Sequence, residues 1–448
     1  MVLALWALIF FLSCNLNVLY AATAKFKDSE FKAQLVVKGL TRPTSMVFVD
    51  ENEILVTEKQ GLVQRIIESR ILPHPVLDIR AIVNSTGERG LLSIGISNPS
   101  DVEKDYNNDN AAAVYLLFTN YPGKNISGNS DAVVQKSETL QNAANSIYRY
   151  KLQEGKLTNP KLLANVPLYS NESIQHIGGA LKVSADDKIY FTAGDGRGCE
   201  YFEDCDTKTS YFSDDTQSKL TGGIYYFTNN SETGDFNETS SPEYYQYAYG
   251  IRNSFGLDFD PVTGNLWDTE NGPAFGDEIN LVKPGFNSGW VKFQGVWSVT
   301  NYTQIFNNPP PGLPKGYYFT ETPQIPEDFN GTGNYSNPEF TWNQTVGVTS
   351  IKFFDSNKYG KQYQNDIFVS TYKGGLIYHF DLDKDRNQLL LKGPLKDKVA
   401  NSSKEMDGVI FAQGLAPGGI SDLEVGPDGY LYVLTYGSKG AIYKIVPR

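Results

Sequence analysis

DGYLYVLTYGSKGAIYKI, residues 428–445, reads as two strands joined by a glycine-bearing turn. Tyr, Val, Leu and Ile dominate both halves, and such residues suit a pleated, half-buried surface. The same unit occurs as ENEILVTEKQGLVQRI (51–66), AAVYLLFTNYPG (112–123), DDKIYFTAGDG (186–196), TGNLWDTENG (263–272) and NDIFVSTYKGGLIYHF (365–380). Six copies, spaced by roughly sixty to a hundred residues, are the signature of sheets repeated around an axis. They predict an all-β chain, a six-bladed β-propeller of four-stranded antiparallel sheets. No single blade can bury both its faces, so residues 25–448 are expected to form one ring. A strand near 441–446 and an early one near 34–37 would close it by sharing a blade. Long polar insertions at 101–110, 298–333 and 384–406 fall between repeats.

Composition agrees with this class and excludes others. Aromatic residues reach 13%, charged residues only 20%, and the formal net charge is −12. Such an acidic chain repels nucleic acid and anionic membrane surfaces. Residues 2–12 are apolar, and Ala22-Thr23-Ala24 has the small-x-small form of a signal-peptidase site. Residues 1–24 are therefore read as a signal peptide, with a retained anchor as the alternative. No later segment is apolar enough to span a bilayer. Cys199 and Cys205 would form a small-loop disulfide in an exported protein. Ten Asn-x-Ser/Thr sequons, Asn84, Asn343 and Asn401 among them, fit a secreted or cell-surface glycoprotein.

The chemistry concentrates in a few places. TENGPAFGDEINLVKPGFNSGW (269–290) sets Glu270, Asp277 and Glu278 around a Gly-Pro step, a carboxylate and carbonyl set suited to calcium. His74, between two prolines, reads as surface structure, and His379 as a strand residue. His176 is different. It lies in QHIGGALKV, where two glycines allow close approach, and the next strand ends at Asp195. A histidine near a carboxylate is the arrangement of a general base. Arg252-Asn253 adds a fixed cation and an amide just before another blade. Lys373 projects from a strand turn and Glu88 from a loop, positions where solvated charges are common. There is no P-loop, nucleophile elbow or dinucleotide fingerprint.

Together these motifs resemble the glucose/sorbosone dehydrogenase family of six-bladed propellers that use pyrroloquinoline quinone (PQQ). The matching pieces run in family order: GLTRPTSMVFVDENEILVTEKQGLVQRI, GERGLLSIGI, HIGGALKV with GDG, YGIRNSFGLDFDPVTGNLWDTENGP with DEINLVKPGFNSGW, KGGLIYHF and DLEVGPDGYLYVL. The resemblance implies that His176 is the general base toward a sugar's anomeric hydroxyl, with Asp195 orienting it. Arg252 and Asn253 would contact the quinone's reactive side, Lys373 would pair with the cofactor, and Glu88 would face it. Backbone carbonyls of Asn271, Gly272 and Pro273 would hold the calcium that polarises the quinone, and Asp277 and Glu278 a structural calcium. A small-molecule sugar or aldehyde substrate and an external electron acceptor follow. The chain departs from the family pattern at Gly419-Ile420-Ser421-Asp422, where cofactor-binding members carry Arg-x-Arg-Asp. It departs again at Ile251, where the family has His, and at Ser97-Asn98-Pro99. A non-catalytic, calcium-binding surface propeller that has lost the quinone and a calcium-dependent lactonase or hydrolase remain alternatives on the same scaffold.

Overall fold

The computed structural model describes residues 24–97, 112–126, 134–136, 143–168, 174–196, 222–228, 244–290, 293–298 and 335–448. The leader, Cys199, Cys205, the insertion at 101–110 and residues 299–333 lie outside the described residues. Six antiparallel sheets form the blades of a six-bladed β-propeller.

Each blade begins at the central axis. The inner strands are Pro43–Phe48, Leu91–Ile96, Gly178–Val183, Ser254–Phe259, Val348–Phe353 and Ile420–Val425. Adjacent inner strands touch around the whole circle, the last returning to the first. The second strands are Glu53–Glu58, Ala113–Thr119, Lys188–Ala193, Leu266–Glu270, Ile367–Thr371 and Leu431–Thr435. These are covered on both faces by neighbouring blades and are buried almost throughout. A strand buried on both sides becomes a short apolar run, which is why the second strands carry the six repeats visible in the sequence.

The ring closes as expected. Phe31–Leu40, from the start of the chain, pairs antiparallel with Gly440–Pro447 from its end. Hydrogen bonds thus fasten the first described long strand to the last. Several blades exceed four strands. Phe286–Asn287 and Val399–Ala400 add parallel edges to the third and fourth blades, and Lys25–Phe26 adds an antiparallel edge to the fifth. The segment 384–406, expected as a loop, therefore contributes an edge strand and two 3-10 turns begin or end within it.

Side chains between blades form the core. Leu55, Val63, Leu91, Leu116 and Phe118 fill the space between the first two blades. Trp267, Phe340, Trp342, Ile351 and Val369 do so between the fourth and fifth. Down the axis runs a cavity of about 620 Å³. Near the C-terminal ends of the inner strands, four charges from four blades meet. Lys182 lies 2.8 Å from Asp258, and Lys352 lies 2.9 Å from Glu424 and 3.4 Å from Asp258. Burial opposes the charge on Lys352, but Asp258 and Glu424 outweigh it and hold the amine well above its usual range. This alternating set of charges lies at the end of the axis opposite the loops that enter the inner strands.

Candidate active site

The loops that enter the inner strands carry the predicted residues. His176 precedes Gly178–Val183, and Arg252 and Asn253 precede Ser254–Phe259. Asp195 follows the second strand of the same blade as His176, so one hairpin brings base and carboxylate together. Their separation is 2.8 Å, from His176 Nδ1 to Asp195 Oδ1, and both are buried. The turn is tight. A Cβ at Gly194 would sit 2.1 Å from the His176 carbonyl. His176 itself holds a positive φ of 52°, a costly conformation for a non-glycine residue.

Asp195 is itself positioned. The Trp290 indole N–H donates to Asp195 Oδ2 at 2.7 Å, and Arg252 lies 5.3 Å from the Trp290 ring. Arg252 Nη2 is 2.6 Å from His176 Nε2, and its Nη1 donates to the Asn271 carbonyl at 2.9 Å. A guanidinium can only donate, so Nε2 is the accepting nitrogen and Nδ1 carries the proton toward Asp195. That is the tautomer a general base requires. Trp290 is the participant that sequence reading missed. It closes the quoted segment 269–290, but nothing local ties it to Asp195.

Glu88 joins two blades to this centre. Its Oε2 accepts the His176 backbone N–H at 2.7 Å and the Asn253 amide at 3.2 Å. The Asn253 carbonyl oxygen accepts the Gly178 N–H at 3.0 Å, so Asn253 spans the third and fourth blades. Glu88 and Asn271 line the cavity, and His176, Arg252 and Asn253 stand one hydrogen bond behind that wall. Lys373 stays at the rim, where its amine donates to the Thr345 carbonyl and hydroxyl at 2.9 and 2.6 Å. Its neighbour Tyr372 faces Tyr436 across the mouth, ring centroids 5.9 Å apart.

Asp277 and Glu278 are not brought together. They are neighbours on Asp277–Val282, and successive strand residues face opposite sides. Asp277 accepts backbone N–H groups from Gly272, Val346 and Gly347 at 2.9, 2.7 and 2.7 Å. It pins the rim loop and offers little to an ion. Glu278 faces Ser288, Asn280 and Gln294 inside the blade, where burial pushes its carboxyl up to about 7. The Asn271 carbonyl is already engaged by Arg252, which leaves Gly272 and Pro273 as candidate carbonyls for a catalytic ion.

The donor set fits the reacting end of a quinone: a guanidinium, an imidazole and the Gly272 and Pro273 carbonyls, set behind the cavity wall that Glu88 and Asn271 form. At the other end the arginine pair is absent, and the backbone shows why position 419 admits none. Gly419 has φ +94°, and a Cβ there would meet the Tyr372 carbonyl at 2.7 Å. Asn84, one of the sequons, is buried and bonds the Thr86 N–H, which hides it from a glycosylating enzyme. Asn401 is exposed. His74 is exposed as expected, and His379 is a half-buried strand residue 2.9 Å from Asp366.

Comparison with known proteins places this geometry. The aldose sugar dehydrogenase YliI of Escherichia coli is 29% identical over 276 residues, covering 61% of this chain and 60% of that protein. Quinoprotein glucose dehydrogenase B of Acinetobacter calcoaceticus is 26% identical over 407 residues, 80% of this chain and 79% of that protein. The crystal structure of the soluble Escherichia coli aldose sugar dehydrogenase in its apo form superposes with a TM-score of 0.61, at 22% identity, covering 93% of this chain and all of that one. The PQQ-bound aldose sugar dehydrogenase of Streptomyces coelicolor gives 0.55 at 18% identity, covering 93% and 99%. A family profile described as glucose/sorbosone dehydrogenase matches residues 40–444, and the chain belongs to that family.

Proposed function

We propose that this protein is an exported, calcium-assisted, PQQ-dependent dehydrogenase that oxidises the anomeric hydroxyl of an aldose to the lactone. The observation that carries the reading is the buried His176–Asp195 pair with Arg252 against Nε2. Asp195 holds the Nδ1 proton, so Nε2 is the basic nitrogen and can take the hydroxyl proton of a sugar entering from the cavity. The aspartate then stabilises the imidazolium that forms. The quinone, when bound, supplies the acceptor for the hydride that leaves the same carbon. Arg252 must yield Nε2 to the substrate. Its second anchor on the Asn271 carbonyl and its place on the Trp290 ring keep the guanidinium beside the reacting atoms, where it can stabilise developing negative charge. Glu88, through the His176 amide, holds the strained turn in place.

A second reading, a non-catalytic calcium-binding surface propeller that has lost the quinone, is favoured by Gly419 and Ser421. Two charge-assisted contacts to cofactor carboxylates would be missing, each worth about 1.5–3 kcal/mol. Titrating the metal-free chain with PQQ, with and without calcium, separates the two. Saturation at micromolar quinone, with aldose-dependent reduction of a dye that His176→Ala abolishes, supports the dehydrogenase. Failure to bind leaves the binding propeller.

A further inference from the structure

The fifth blade carries a group of side chains that the active site does not use. Its second strand, Ile367–Thr371, pairs antiparallel with its third, Ile377–Phe380, so that Ile367 stands opposite Phe380 and Phe368 opposite His379. Asp366 and Asp381 are the residues just beyond the Ile367–Phe380 pair. Side chains alternate along a strand, so Asp366, His379 and Asp381 fall on one face, with Phe368 beside them. Lys373 sits in the turn at the other end of the same hairpin. A strand length, roughly 17 Å, separates the two ends. The three groups therefore stand at the end of the blade remote from the cavity mouth.

Their donor atoms converge. His379 Nε2 is 2.9 Å from Asp366 Oδ2 and 3.5 Å from Asp381 Oδ1. All three atoms lie within 4.8 Å of one another. Ligands of a tetrahedral zinc ion are spaced by about 3.3 Å, so two of the three edges already match. Rotation of the half-buried Asp381 carboxylate shortens the third. Besides His379, that carboxylate has Lys392 at 3.8 Å, whose side chain is 84% exposed and contributes little. The imidazole is held in place by rings, Tyr363 and Phe368 lying 4.8 and 5.0 Å from it between centroids. Burial raises the Tyr363 phenol above its usual range, and Asp28, Asp381 and Glu30 raise it further, so the surroundings are negative.

We propose that Asp366, His379 and Asp381 form a seat for a zinc-class divalent ion at this end of the fifth blade, with water completing the coordination. A ring nitrogen set between two carboxylates suits a borderline first-row ion and separates this group from a solvated acidic patch. Calcium takes roughly six to eight oxygens, and an imidazole at the centre of the set does not serve it. The Asp381 side chain is 40% exposed, so an ion enters from solvent and keeps water on its open side. Asp366 leads into one strand and Asp381 follows the other, so the ion clamps the pair at the end away from Lys373. The seat depends neither on the quinone nor on any ion held by 269–290.

The competing state is an imidazolium that bridges the two carboxylates with no ion. The full chain is stripped with chelator, dialysed into excess calcium to occupy all-oxygen sites, and titrated with zinc chloride by calorimetry. The seat predicts one saturable zinc site in the micromolar range. It also predicts a thermal midpoint raised by roughly 2–6 °C at a hundredfold excess over Kd. His379→Ala and Asp381→Asn should each weaken that site at least tenfold, whereas His74→Ala should leave it unchanged. Cobalt chloride in place of zinc should give visible absorption bands that His379→Ala removes. Should His379→Ala fail to fold, the partly exposed Asp381→Asn reads the same loss of affinity. Wild-type zinc affinity and stoichiometry in both variants would overturn the seat. So would the lack of saturable zinc binding by the wild-type chain below roughly 100 µM.

Discussion

At the scale of single residues, the centre is a chain of orientation: Trp290 holds Asp195, Asp195 holds His176, and Arg252 lies across Nε2. If Asp195 sets the tautomer, Asp195→Asn should lower turnover by about 10²–10⁴ with little change in aldose KM, because proton abstraction and not binding is impaired. Steady-state rates with a dye acceptor measure this, and a KM-only effect would count against the role. His176 was legible in the sequence because two glycines follow it and a strand ending in Asp195 comes next. Trp290 and the Arg252–His176 contact were not. The latter joins residues 76 apart, and only the packing of the third blade on the fourth sets that distance.

At the scale of elements, each blade delivers its chemistry from the loop entering its inner strand. The second strands were readable because burial on both faces makes them apolar. Inner strands such as Ser254–Phe259 face the axis on one side and carry polar residues, so the repeat did not reveal them. Asp277 and Glu278, expected as ligands of one ion, show a related effect. Once 277–282 is a strand, its alternation sends the two side chains apart. Asp277 instead fastens the rim loop through three amides, and Asp277→Ala should cost about 2–4 kcal/mol of stability. Urea unfolding measures it, and a loss under 1 kcal/mol would contradict the fastening role. The axial ring makes a parallel case. Lys352→Met leaves Asp258 and Glu424 short of a counter-charge and should destabilise by about 3–5 kcal/mol, as breaking a buried pair does.

At the scale of the whole molecule, buried acids couple the ring to pH. Burial raises the Asp268 and Asp422 carboxyls to about 7, Asp422 being pushed further by Glu424. In the unfolded chain both ionise near pH ~4. A folded pKa raised above the unfolded one stabilises fully below the unfolded value, and that contribution is lost as pH rises through the folded one. Asp258 is the opposite case. Burial raises it, but Lys182 and Lys352 outweigh that and hold it low, so its contribution is present at neutral pH and lost on acidification. Chelated protein should therefore lose thermal stability between about pH 5 and about pH 8. A chelated protein that gains stability over the same range would contradict the assignment of these groups.

Family membership and the six-bladed fold leave one central question, whether the pocket takes the quinone although Gly419 and Ser421 stand where arginines would grip it. Equilibrium titration of the calcium-loaded chain with PQQ, followed by aldose addition under a dye acceptor, answers it most directly. The account predicts saturable binding in the micromolar range and aldose-dependent dye reduction that His176→Ala removes while quinone binding persists. Absence of quinone binding by the calcium-loaded wild-type chain would contradict it.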